Sequence, residues 1–94
     1  MLSTKDLAPK VISEILRDQP LSPAKVQFAW RASVGSSMAR ATSVTLEANG
    51  TLIVLAVGEH WRRETVRSTR VIKQRLTDLL GGNVIRRVTV KGKT

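Results

Sequence analysis

The 94-residue sequence predicts a single two-layer α+β domain in which two helices, a hairpin, a long helix and a last strand follow one another. Three observations predict it. Apolar residues recur at helical spacing up to Ala41 and again after Gly58, the period switches to two from Ser43, and Gly50, Gly58 and Gly81 mark the later boundaries. A tight antiparallel hairpin followed by a helical crossover to a further strand gives a three-stranded sheet with helices packed against it.

Ser3-Thr4-Lys5-Asp6 sets a capping hydroxyl ahead of an acid, and Leu7, Val11, Ile12, Ile15 and Leu16 then share one helical face up to Arg17. Pro9 fits only in a first turn, which allows a start as late as Ala8. Asp18-Gln19-Pro20 breaks the pattern. Ser22-Pro23 restarts it with a polar N-cap and proline at the first helical position. The second helix carries Val26, Ala29, Trp30, Val34, Met38 and Ala41 on one stripe, and Gly35 within it implies either close backbone packing or a break.

From Ser43, Val44, Leu46 and Ala48 alternate with Thr45 and Glu47, and Asn49-Gly50 is a turn pair suited to positive φ. The return strand, Thr51 to Val57, is apolar at nearly every position, as expected of an interior strand covered on both faces or shielded on the second. Glu59 to Leu80 reads as the longest helix, with Gly81 at its stop and a last strand from Val84 to Val90. Residues 1–4 and 91–94 are expected to be flexible ends of one domain spanning 1–94.

Sixteen Lys and Arg against seven Asp and Glu give a net charge of +9, of which residues 50–94 carry +7. That density attracts polyanions and points to a partner surface in the second half. No cysteine and a single histidine exclude a disulfide framework, a thiolate zinc site, a thiol nucleophile and a His-rich metal site. Neither a Gly-x-Ser-x-Gly elbow nor a phosphate-cradling Gly-x-x-x-x-Gly-Lys loop occurs, and no acids pair off a helix surface. The expectation is a protein without catalytic activity, cofactor or small-molecule substrate. No apolar run reaches the ~18 residues of a membrane span and no signal sequence opens the chain, so a cytoplasmic location away from membranes is expected.

The long helix holds the candidate site. At about 100° per residue, Trp61, Thr65, Thr69, Ile72, Leu76 and Leu79 share one face. Arg63, Arg67, Arg70 and Gln74 share the other, with Arg62 and Lys73 on its flank. Such a row offers several guanidinium forks to successive phosphates, and only Glu59, Glu64 and Asp78 lie near to neutralise it. A merely solvated helix face is the competing reading. Arg86 and Arg87 extend the basic surface, although neighbours on a strand point to opposite faces; Lys91 and Lys93 are secondary candidates. Trp30 reads as a core anchor. Trp61, at the first turn of the basic helix, reads either as core or as a contact for a protein partner.

Trp30 with Val34-Gly35 and Ala39, the hairpin residues Leu46, Gly50-Thr51-Leu52 and Val54, then Trp61, Glu64, Leu76, Gly81 and the strand Ile85 to Val90, form an ordered series over nearly the whole chain. The series resembles the bacterial DciA family of replicative-helicase loaders. The resemblance implies a KH-like domain that binds DNA and assists loading or operation of the replicative helicase on single-stranded DNA, with duplex DNA an open further partner and Trp30, Gly35, Leu52 and Trp61 as its signature positions. Two features depart from the pattern: there is no Gly-x-x-Gly clamp loop, which leaves DNA contact to the arginine surface, and only four residues follow Val90, where loader members carry a flexible extension. The alternative is a protein-interaction or RNA-binding module that uses the same basic helix face.

Overall fold

The computed structural model describes residues 20–93; the expected helix from Leu7 to Arg17 lies outside them, as do the expected flexible residues 1–4 and Thr94. The described chain runs α1 (Pro23–Val34), α2 (Ser36–Ala41), β1 (Thr42–Leu46), β2 (Thr51–Val57), α3 (Gly58–Leu80) and β3 (Arg87–Lys93). The α-α-β-β-α-β order is the expected one, but both leading helices come from the stripe that the sequence presents as a single helix. Gly35 divides it. With φ at 85°, Gly35 donates its N–H to Arg31 O (3.1 Å) to close α1 and accepts from Ala39 N (3.0 Å) to open α2. A side chain there would meet nothing within 4 Å, so backbone conformation rather than close packing places the glycine.

The start of α1 follows its capping signal. Ser22 Oγ accepts from Lys25 N at 3.1 Å, and Pro23 occupies the first turn, where no amide donor is lost. Val26, Ala29 and Trp30 then turn inward. The Trp30 indole is 2% exposed, and its Nε1–H donates to Thr42 Oγ1 (2.8 Å), which donates in turn to Met38 O (2.7 Å). Trp30 is thus a core anchor whose polar edge ties α1, α2 and β1 together.

β1 ends at Leu46, two residues earlier than the alternation of Val44, Leu46 and Ala48 suggests. Gly50 N donates to Glu47 O and Glu47 N to Thr51 O, so Ala48, Asn49 and Gly50 form the loop. Only Gly50 takes positive φ (89°); Asn49 does not, and instead accepts from Thr51 N through Oδ1. This is a turn closed by a left-handed glycine, not a two-residue Asn-Gly turn.

The sheet order is β1-β2-β3, with β1 antiparallel and β3 parallel to the central strand. α3 makes the crossover. Leu52, Val54 and Ala56 are fully buried on the side that meets the helices, where Val44, Val26, Ala29, Trp30, Ile72, Leu76, Leu80 and Ile85 join them in the core. The opposite side of β2 is only partly shielded: Ile53 and Leu55 are half-buried between their strand neighbours and Val57 is exposed. Of the two expectations for this strand, the described residues support shielding rather than a second covering layer.

β3 starts three residues later than the sequence suggests and runs to Lys93. Its limits come from its partner, since a parallel strand pairs only where β2 exists: Thr51 opposes Arg87 and Val57 opposes Lys93. Val84 belongs to the turn after α3, and Ile85 is buried in the core. Of the chain end expected to be flexible, Lys91, Gly92 and Lys93 are strand residues.

Candidate nucleic-acid interface

α3 is amphipathic in the expected sense. Thr65, Ile72, Leu76 and Leu80 are buried, whereas Trp61, Thr69 and Leu79 are half-buried. Thr65 and Thr69 satisfy their hydroxyls locally by donating to Trp61 O (2.7 Å) and Thr65 O (2.9 Å), so a threonine can occupy a core position. Gly81 stops the helix at φ 106°, its N–H donating to Thr77 O.

Arg63, Arg67 and Arg70 stand exposed in one row on the far side, with Gln74 beyond them. Arg63 and Arg67 have side chains 73% and 77% exposed. Arg63 to Arg70 spans about 10 Å of helix rise, comparable to three nucleotides along one strand of B-form DNA. Neutralisation is thin. A single carboxylate, Glu59, serves two guanidiniums: Arg62 Nε at 2.8 Å and Arg63 Nε at 3.2 Å. Glu64 lies 3.8 Å from Arg67, and Arg70 has no ion pair among the described residues. The hydrogen bonds from Arg62, helped by Arg63, push the Glu59 carboxyl down to about 2, and the same contact raises Arg62. Glu59 therefore stays ionised, yet one negative charge between two cations leaves the row positive.

The flank turns toward β3. The Arg62 side chain passes beside Gly92, with Cδ 3.8 Å from where a β-carbon on that residue would sit. Lys73 Nζ donates to Arg86 O at 3.1 Å. Arg86 precedes the strand; its aliphatic stem lies over Gly50, whose missing β-carbon would come within 2.9 Å of Arg86 Cγ. Arg86 therefore sits beside the α3 flank, while Arg87, opposite Thr51 in the register, belongs to the sheet side facing away from the helices. Of the seven basic residues singled out by sequence, five lie on α3, one adjoins it and Arg87 is separated from the row by the sheet.

Arg75 departs from the row as well. Its Nη1 donates to Ser33 O (2.9 Å) and staples α3 to the end of α1, a contact between residues 42 apart that no local spacing in the sequence signals. Trp61 is half-buried, its ring meeting that of His60 edge-on at 5.1 Å between centroids. It is neither a sealed core residue nor a free surface ring. Among the described residues no cluster of three or more His, Asp or Glu side chains is placed to hold a metal ion, and no helix is long and apolar enough to cross a membrane. Searches against models of known protein families and against curated protein sequences return no match for this chain.

Proposed function

We propose that this domain binds DNA through the outer face of α3, as a non-enzymatic module of the DciA type that acts with the replicative helicase. The observation that carries the reading is the exposed row Arg63, Arg67 and Arg70, positive because Glu59 is shared and Arg70 is without an ion pair among the described residues. Guanidiniums in a row grip successive phosphates, contacts that hold a strand without reading bases, and the strands offer no aromatic platform for stacking. Binding is therefore sequence-tolerant. Arg62 and Lys73 already hold Glu59 and Arg86 O, and they add charge from the flank.

Salt dependence tests the number of contacts. If the outer three arginines act alone, log affinity for single-stranded DNA falls against log salt with a slope of about −2; if Arg62 and Lys73 join, the slope is about −3.5. Joint Arg67→Glu and Arg70→Glu substitution reverses charge at two of three positions and is expected to abolish binding at moderate salt. Wild-type affinity in that variant would remove α3 from the reading. Retention compared on single-stranded DNA, duplex DNA and RNA separates this function from an interaction module, which would hold none of them. Helicase pull-down repeated with Trp61→Ala, after thermal unfolding has shown the fold intact, tests the partner contact.

A further inference from the structure

The sheet has two outer strands, and they end differently. The β1 backbone is met by a side chain of α1: Gln27 Nε2 donates to Val44 O at 2.7 Å. Neither outer strand has a strand neighbour on its outer side among the described residues, but β3, at seven residues, is longer than the five-residue β1, and the side-chain bond on its flank, Lys73 Nζ to Arg86 O, falls on the residue before the strand. An unpaired strand edge is a template for another extended chain.

The flanks of that edge are basic on both sides. On the side away from the helices, Arg87 and Lys91 are exposed and bracket Thr89. On the helix side, Arg62 lies beside Gly92 at one end and Lys73 reaches Arg86 O at the other. Between them Val66, one turn beyond Arg62 on the same flank of α3, leaves an apolar side chain 49% exposed. Arg62 to Lys73 covers about 16 Å of helix rise, and Arg87 to Gly92 covers about 16 Å of strand. The two charged rails therefore run in step along the edge. A second copy of β3 would set like charges against each other, which argues against self-pairing.

We infer that the outer edge of β3 accepts an acidic, extended peptide segment of a partner protein as a fourth strand. Acids on alternate positions of that strand oppose Arg87 and Lys91, residues between them lie against Val66, Val88 and Val90, and acids at its two ends reach Lys73 and Arg62. Backbone hydrogen bonds supply affinity and the charge alternation supplies selectivity. This site excludes the outer row Arg63, Arg67 and Arg70, shares only the flanking Arg62 and Lys73 with it, and does not depend on the DNA reading.

The probe is the synthetic peptide Asp-Glu-Val-Thr-Val-Glu-Asp with blocked ends, whose palindromic pattern suits either strand direction. The expected result is hydrogen-exchange protection and amide shifts confined to β3 and the facing flank of α3. Joint Arg87→Glu and Lys91→Glu substitution should lower affinity about tenfold, and the peptide with both Glu replaced by Lys should regain it on that variant. The Arg67→Glu, Arg70→Glu variant, deficient in DNA binding, should bind the peptide as the wild type does. Four results would overturn the inference: no binding at millimolar peptide, shifts centred on Arg63, Arg67 and Arg70, equal binding when both peptide valines become proline, or protection of the β3 edge by a single-stranded oligonucleotide instead of the peptide.

Discussion

Each outer strand is backed by a helix, β1 by α1 and β3 by α3, and the two pairs use their polar groups in opposite ways. On the first side they turn inward: Ser22 caps α1, Gln27 takes Val44 O, and the Trp30–Thr42–Met38 chain links the buried indole to two half-buried residues. Even the groove of about 360 Å³ between the start of α1 and β1 is walled mainly by apolar residues such as Leu21, Pro23, Val26 and Leu46. On the second side Arg63, Arg67 and Arg70 turn outward to solvent, and Lys73 is the exception that faces the backbone, its bond to Arg86 O aiming the flank of α3 along the edge of β3. One half of the domain is built to be closed and the other to be met. Their polar content alone does not separate the halves; what matters is whether each polar group faces the backbone or the solvent.

Removing the anchor of the closed side has the largest expected effect. Trp30→Ala deletes a buried indole and removes the donor to Thr42 Oγ1, which keeps its own bond to Met38 O, and chemical denaturation should report a loss of about 3–5 kcal/mol. Gly50→Ala attacks the junction between the halves. The added methyl requires positive φ in a non-glycine residue and displaces the Arg86 stem, at a cost of about 1–3 kcal/mol in the same measurement. Gln27→Ala reopens the backbone of β1 and should cost about 1 kcal/mol, with faster amide exchange confined to β1. If that exchange spread to β3, the contrast between the edges would fail.

The smallest effect is the pH dependence of the open side. Because folding holds the Glu59 carboxyl at about 2, below its ordinary 4.5, the stability it contributes is complete above about 4.5 and disappears as pH falls through about 2. Melting temperatures should show this as a shallow acid decline that Glu59→Gln removes. A decline of equal size in the variant would assign it to other carboxylates.

Features set by neighbours in the chain are legible in the sequence. Ser22-Pro23 opens α1, Gly81 ends α3, and the four-and-three spacing of Arg63, Arg67 and Arg70 places them in one row whatever surrounds the helix. Features set by distant partners are not. Gly35 offers two readings until the empty space around it is known, and β3 takes its limits from β2 rather than from the apolar run Val84-Ile85. The same holds in the candidate site: only the register shows that Arg87 faces away from the helices, and only the fold brings Lys73 to Arg86 and Arg62 to Gly92. Sequence periodicity orders the charges along α3, whereas tertiary structure decides which of them remain available.

The two tryptophans give the domain an internal pair of optical reporters. There is no tyrosine, so near-ultraviolet emission comes from Trp30 and Trp61 alone. Trp30, sealed and hydrogen-bonded in the closed half, emits as a buried indole until the whole domain unfolds; Trp61, half-open at the start of α3, senses what approaches the other half. A Trp61→Phe variant isolates the first signal, and the difference from wild type isolates the second. Global unfolding and events at the basic face can thus be followed in one cuvette without an added label.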